Sequence, residues 1–109
     1  MIKRFVILRR KPGMSVRAFR DHWKNIHGPL VAKIPGIKRY VQYHVSSKLL
    51  DSADASIDGI AELWFESEAA QAAAWQTSEY EALVADEPNL FDMTSHCIHP
   101  VMTDEVVEF

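Results

Sequence analysis

Apolar residues recur along this chain at two spacings, and the switches between them mark out its elements. Residues 2–10 are rich in β-formers around Phe5, Val6, Ile7 and Leu8 and stop at the Pro12-Gly13 turn pair, which predicts a first strand. Ser15 is a candidate N-cap, and after it Phe19, Trp23, Ile26 and Leu30 follow at helical spacing. That helix is expected over 16–27 or a little beyond, because Pro29 disfavours helical geometry at Gly28. Beyond Pro35-Gly36 the run 37–45 alternates, with Ile37, Val41, Tyr43 and Val45 on one side and Tyr40, Gln42 and His44 on the other. A Ser- and Asp-rich loop is expected over 46–56 and a third strand over 58–66. In that strand Ile60, Glu62, Trp64 and Glu66 share one face, and Ala61, Leu63 and Phe65 the other. Ser67 opens an alanine-rich helix, Ser78-Glu79-Tyr80-Glu81 has the form of a capping box, 89–92 reads as a turn, and 97–102 suits a last strand.

Strand, helix, strand, strand, helix, strand is the split βαβ order. It predicts an α+β, ferredoxin-like βαββαβ fold with a four-stranded antiparallel sheet and both helices on one face. The strands carry apolar residues on both faces, so the uncovered face needs a second layer, and 109 residues leave no spare element to supply it. A two-fold copy of the chain is the simplest cover, which predicts a homodimer built as a dimeric α+β barrel from one domain over 1–109.

Composition narrows the function. No run approaches the roughly 18 apolar residues of a membrane span, and the basic start leads only to the short stretch 5–8, too little for a signal-peptide core; a cytoplasmic protein with no membrane partner is expected. The lone Cys97 allows neither an internal disulfide nor a cysteine-built zinc site, and reads as a small apolar strand residue. Net charge is −3, but all 12 Lys and Arg lie between Lys3 and Lys48, opposed there only by Asp21. Both halves keep regular hydrophobic patterning, so they are not charged tails. Either the halves interleave in one sheet and their charges neutralise, or the basic half lines an anion-attracting mouth. No glycine-rich phosphate loop, no Gly-x-Ser-x-Gly elbow and no aromatic RNA-binding strand occurs, which argues against nucleotide and nucleic-acid partners.

The candidate chemistry lies in histidines and a polar strand face. On a regular helix His22 and His27 flank opposite borders of the apolar stripe, and a spacing of five turns them apart, so they do not read as a metal pair; His96 and His99, three apart on a strand, point to opposite faces. No metal site is expected. His27, at the end of the helix, either carries protons at a pocket or caps the last carbonyls. Tyr40, Gln42 and His44 form either a pocket wall or a wet face, and Glu62 is either ion-paired to a base of the first half or poised in a cavity.

Phe19-Arg20-Asp21-His22-Trp23-x-x-x-His27-Gly28-Pro29-Leu30 followed by Pro35-Gly36-Ile37-x-x-Tyr40 resembles the EthD family of the dimeric α+β barrel superfamily. The strand Glu62-Leu63-Trp64-Phe65, the stretch 78–86 and the ending Thr103-Asp104-Glu105 extend the resemblance over essentially the whole chain. It implies a pocket inside each subunit, between sheet and helices. It also implies kinship with methylmuconolactone methylisomerases and with polyketide cyclases and dehydratases that use no cofactor. In the methylisomerases a His ending helix one and a Tyr on strand two serve the active site, and these fall on His27 and Tyr40; the Trp64-Phe65 pair matches as well. His22-Trp23 departs from the methylisomerase pattern and follows the broader family. The implied activity is acid–base proton transfer on a small lactone, aromatic or polyketide-like molecule, as an isomerase or lyase. His27 and Tyr40 are then catalytic, and His22, Trp23, Gln42, His44 and Trp64 contact substrate. A non-catalytic ligand-binding protein of an oxygenase pathway and a cofactor-free or haem-related monooxygenase are the alternatives.

Overall fold

Ile2–Leu8 (β1), Ile37–His44 (β2), Gly59–Phe65 (β3) and His99–Met102 (β4) pair into one antiparallel sheet of order β2-β3-β1-β4. They do so in a computed structural model that describes residues 1–46, 48, 57–94 and 99–109. This is the ferredoxin-like α+β arrangement, and it alternates a strand of the basic first half with one of the acidic second half. Arg10, just beyond β1, meets Asp58, just before β3, in a 2.9 Å ion pair. Cys97, His96 and most of the loop expected over 46–56 lie outside the described residues.

Register places side chains in rows across the sheet. Toward the helices the rows are Ile2, Phe65, Ile37; Arg4, Leu63, Tyr40; Val6, Ala61, Gln42; and Leu8, Gly59, His44. Ile37 joins this inner face, against the alternation expected from sequence, because the ladder shifts register between Ile37 and Arg39, and the extra residue reverses the phase of everything before it. The outer face carries Lys3, Phe5 and Ile7 of β1, Arg39, Val41 and Tyr43 of β2, and Ile60, Glu62 and Trp64 of β3.

The first helical region begins as expected: the Ala18 N–H donates to Ser15 Oγ at 3.1 Å and opens Val16–His22 (α1). It does not end at His27. It widens into a π-helical turn over Trp23–His27 and continues as Gly28–Ala32 (α2), with Gly28 itself helical. Pro29 explains the widening. It has no N–H for the carbonyl of Asn25, and in a regular helix its ring would collide with that carbonyl. The wider turn closes Gly28 N–H onto the Trp23 carbonyl five residues back and lets the chain pass the proline without stopping. It also resets the buried stripe. Ile26, expected inside, is 53% exposed, whereas His27 is 4% exposed.

Glu68–Ala74 (α3) is capped by Ser67, whose Oγ accepts from the Ala70 N–H. Ser78–Asp86 (α4) is capped by Thr77 rather than by Ser78 of the expected capping box. The Thr77 hydroxyl donates to the carbonyl of Ala74 at 2.7 Å and accepts from the Tyr80 N–H, so one side chain ends α3 and starts α4. The chain then tightens through a 3-10 turn, Glu87–Asn89, and returns beside β1 where Phe91 bridges Arg10. No helix among the described residues is long and apolar enough to cross a membrane.

Trp23, fully buried, is central to the core, with Phe19, Phe65 and Leu90 equally enclosed. Its ring lies on Gly59, where a Cβ would come within 2.6 Å of two ring carbons. Gly59→Ala should therefore cost about 1–3 kcal/mol through overpacking. Urea denaturation checks this, with unchanged stability as the contrary result.

Candidate active site

The widened turn brings together two histidines that regular geometry would separate. A π turn joins residues five apart, so His22 and His27, at its two ends, come onto one side of the helix. Both reach the same carboxylate, on α4. His22 Nε2 lies 2.9 Å and His27 Nδ1 2.9 Å from Asp86 Oδ2, and Asn89 Nδ2 donates to Oδ1 at 3.0 Å. The expectation that the two rings point apart fails for this reason. Burial raises the Asp86 carboxyl, but hydrogen bonds from Asn89, His22 and His27 outweigh it and hold the group below the usual carboxylate range.

His27 is held neutral. Burial lowers its imidazole below the ordinary 6.5, and the hydrogen bond to Asp86 offsets only part of this. A carboxylate only accepts, so the His27 proton is on Nδ1, and Nε2 keeps its lone pair. His27 lines a cavity of about 100 Å³ between sheet and helices, with Tyr40 among the other lining residues.

Tyr40 is oriented through the same turn. Gln42 Nε2 donates to the Trp23 carbonyl at 2.9 Å and to the Tyr40 hydroxyl oxygen at 2.8 Å, while its Oε1 accepts from His44 Nε2 at 3.0 Å. Since the Trp23 carbonyl can only accept, the amide orientation is fixed, and the Tyr40 proton is left for another acceptor. Burial raises the Tyr40 phenol, so it stays protonated at neutral pH. Gly28 makes the bridge possible, because a Cβ there would stand 2.8 Å from Gln42 Nε2.

The other expected site residues divide. Trp23 lines the cavity. His22 supports Asp86, and Gln42 supports Tyr40. His44, its pKa lowered by burial and by Arg20 and Lys24, packs against Trp23 at 4.6 Å on the rim of a separate surface groove with Arg20, Asp21 and Lys24. Trp64 is a correction: even-numbered β3 residues face away from the helices, so it lies on the outer face, where Lys3 and Arg39 stand over its ring. Glu62 does not line the cavity, and among the described residues it forms no ion pair; on that outer face it accepts from Trp64 Nε1 and Tyr43 Oη, and with the charges of Arg39 and Lys3, bases of the first half, these hold it ionised.

Sequence reasoning missed Asp86, Arg4, Tyr80 and Glu87, the last three of which line the cavity. Asp86 had a signal, since a carboxylate in the last turn of a helix opposes the dipole and needs another reason to be there. Arg4 had one too: it interrupts the inward row Ile2, Val6, Leu8 of β1.

Residues 11–94 match the family model described as the EthD domain. The chain belongs to the EthD family. An uncharacterised 11.0 kDa protein of the thcB-thcC intergenic region of Rhodococcus erythropolis is 34% identical over 88 residues, 81% of each chain. An ethyl tert-butyl ether d (EthD) family protein from Bacillus halodurans superposes with a TM-score of 0.72 at 20% identity, covering 97% of this chain and 100% of that one. A dimeric ferredoxin-like protein of unknown function from Thermobifida fusca gives 0.70 at 15% identity, over 94% and 88% of the two chains. An antibiotic biosynthesis monooxygenase gives 0.63 at 15% identity, over 98% and 100%. At these identities the structures share the EthD domain's fold.

A histidine held neutral by burial takes up its proton more readily once unfolded, so His27 stabilises the fold above pH 6.5 and that contribution falls as pH drops through this value. Asp86, held low, loses its contribution only in the more acidic carboxylate range. The unfolding free energy should thus fall as pH drops through 6.5, before the carboxylate range is reached, and His27→Gln should reduce that slope, leaving the part due to His44. Parallel slopes in urea titrations of the two proteins would contradict the assignment.

Proposed function

We propose that the chain is a cofactor-independent enzyme that moves protons on a small carbonyl-containing molecule, in an isomerisation or a lyase-type elimination. The observation that carries this reading is the buried His27–Asp86 pair at a cavity that also holds the Tyr40 hydroxyl. His27 Nε2 is the general base, Asp86 fixes the tautomer and stabilises the imidazolium that forms, and Tyr40 donates to the oxygen on which charge develops. Trp23 forms the cavity wall, while His22 and Gln42 act through Asp86 and Tyr40. The cavity is small, about 100 Å³, which favours a compact substrate. We read kinship with the lactone methylisomerases in the same pair, and a cytoplasmic setting suits a chain with one cysteine.

General acid–base help of this kind contributes about 10² to 10⁴ in rate. In a panel of small lactones, phenols and 1,3-dicarbonyls incubated in D₂O, the protein should speed deuterium entry beside the carbonyl, and His27→Ala should lose that acceleration by the same factor. Equal exchange with both proteins would remove the acid–base role. Compounds that bind without exchange would favour the reading of a ligand carrier beside an oxygenase.

We propose further that two copies pack through the outer sheet face. Phe5, Ile7, Val41 and Ile60 stand there half-buried in the single chain, Tyr43 is 48% exposed, and Val106, Val107 and Phe109 project beyond β4. The Thermobifida fusca neighbour is described as dimeric. Light scattering should give twice the 12.4 kDa chain mass, and Phe5→Asp should halve it; a monomeric parent protein would overturn the proposal.

A further inference from the structure

Arg4 is the one cation lining the cavity among the described residues once His27 is neutral, and its position is unusual. It belongs to the inward row of β1, half-buried, with its guanidinium over the Trp75 ring, 5.5 Å from the centroid. Among the described residues no carboxylate forms an ion pair with it and no carbonyl accepts from it, although a guanidinium carries five donors. Glu87 also lines the cavity; it makes no ion pair with Arg4, and although the Arg4 charge acts on it through space, burial outweighs this and pushes its carboxyl up toward the neutral form. The Tyr80 hydroxyl is the other group at this end, its ring stacked on Trp75 at 4.4 Å. A guanidinium stacked on an aromatic face, donors unspent, is a seat for a carboxylate, which it can grip with two parallel hydrogen bonds.

The register gives this seat a place relative to the acid–base pair. Arg4, Leu63 and Tyr40 form one row, so Arg4 and Tyr40 stand two strand spacings apart, about 10 Å, with Leu63 as floor between them. We infer that the substrate is an organic acid, its carboxylate held by Arg4 at one end of the cavity while its reacting carbonyl end meets His27 and Tyr40 at the other. This rests on the acid–base reading for the reacting end only; the seat itself is a matter of binding. It gives the sharp charge split of the chain a local use, because β1 of the basic half delivers a base to a cavity whose other wall comes from the second half.

The test pairs crotonate with crotonamide, equal in shape and different in charge, in NMR titrations of the full chain. Crotonate should bind at least about tenfold more tightly, with shifts at Arg4, Leu63 and Tyr40. Arg4→Gln should erase the preference, and Arg4→Lys should keep part of it. Crotonate binding no more tightly than crotonamide to the parent protein, or neither binding, overturns the inference whether or not the variants fold. So does a preference that persists in folded Arg4→Gln. His27→Ala should keep the preference for the acid, so loss of proton exchange and loss of acid binding report on separate proposals.

Discussion

Pro29 lacks the proton that the helix carbonyl four residues earlier would accept, and the whole candidate site is arranged around how the chain gets past it. Widening by one residue leaves the helix continuous, turns His27 inward and Ile26 outward, and brings His22 round to the same side. It also presents the Trp23 carbonyl to Gln42, which then fixes Tyr40. A single backbone irregularity thus sets the direction of both groups assigned to proton transfer. Neither depends on a loop. His27 is held by helix and Asp86, Tyr40 by strand and amide, so the pair is built on rigid elements as a preorganised site requires.

The polar groups inside this small core are tolerable because nearly all are answered. Asp86 accepts three hydrogen bonds, Gln42 uses its oxygen and both protons, and His27 has its Nδ1 occupied. Among the described residues the buried atoms left without a partner are Arg20 Nε and Gln71 Oε1, away from the cavity, while the cavity itself is lined by His27, Tyr40 and Arg4. Satisfied networks of this kind rigidify the groups they hold, which keeps His27 and Tyr40 in fixed positions at the cavity.

Much of the fold was legible because strand alternation and N-caps are local signals: four strands, both helical regions and the caps at Ser15 and Ser67 all follow from spacing. Two of the errors share one cause, a changed phase. One extra residue near Lys38 moved Ile37 to the inner face, and one wide turn swapped Ile26 for His27. Neither shift can be read from hydrophobic period, although Gly28-Pro29 inside a helical pattern marks where to look. The family motif pointed to His27 and Tyr40 without explaining them. Asp86 and Arg4 escaped because they are distant in sequence from that motif, and Trp64 was misplaced because a match of residue type says nothing about which face of a strand is meant.

The strand order has a consequence for how such a chain must be made. β1 and β2 are never neighbours; each pairs with β3, and β1 also with β4. Residues 1–46 therefore contain two strands that do not pair with each other, carried on a strongly basic segment. Sheet formation waits for residue 65, and the central hydrogen-bond ladders are all long-range closures of the kind that slow folding. Opposite charge on the two halves meets across these ladders in the folded sheet, as where Arg10 of the first half pairs with Asp58 of the second. In a chain whose net charge is only −3, the two signs of charge are thus carried on strands that alternate across one sheet.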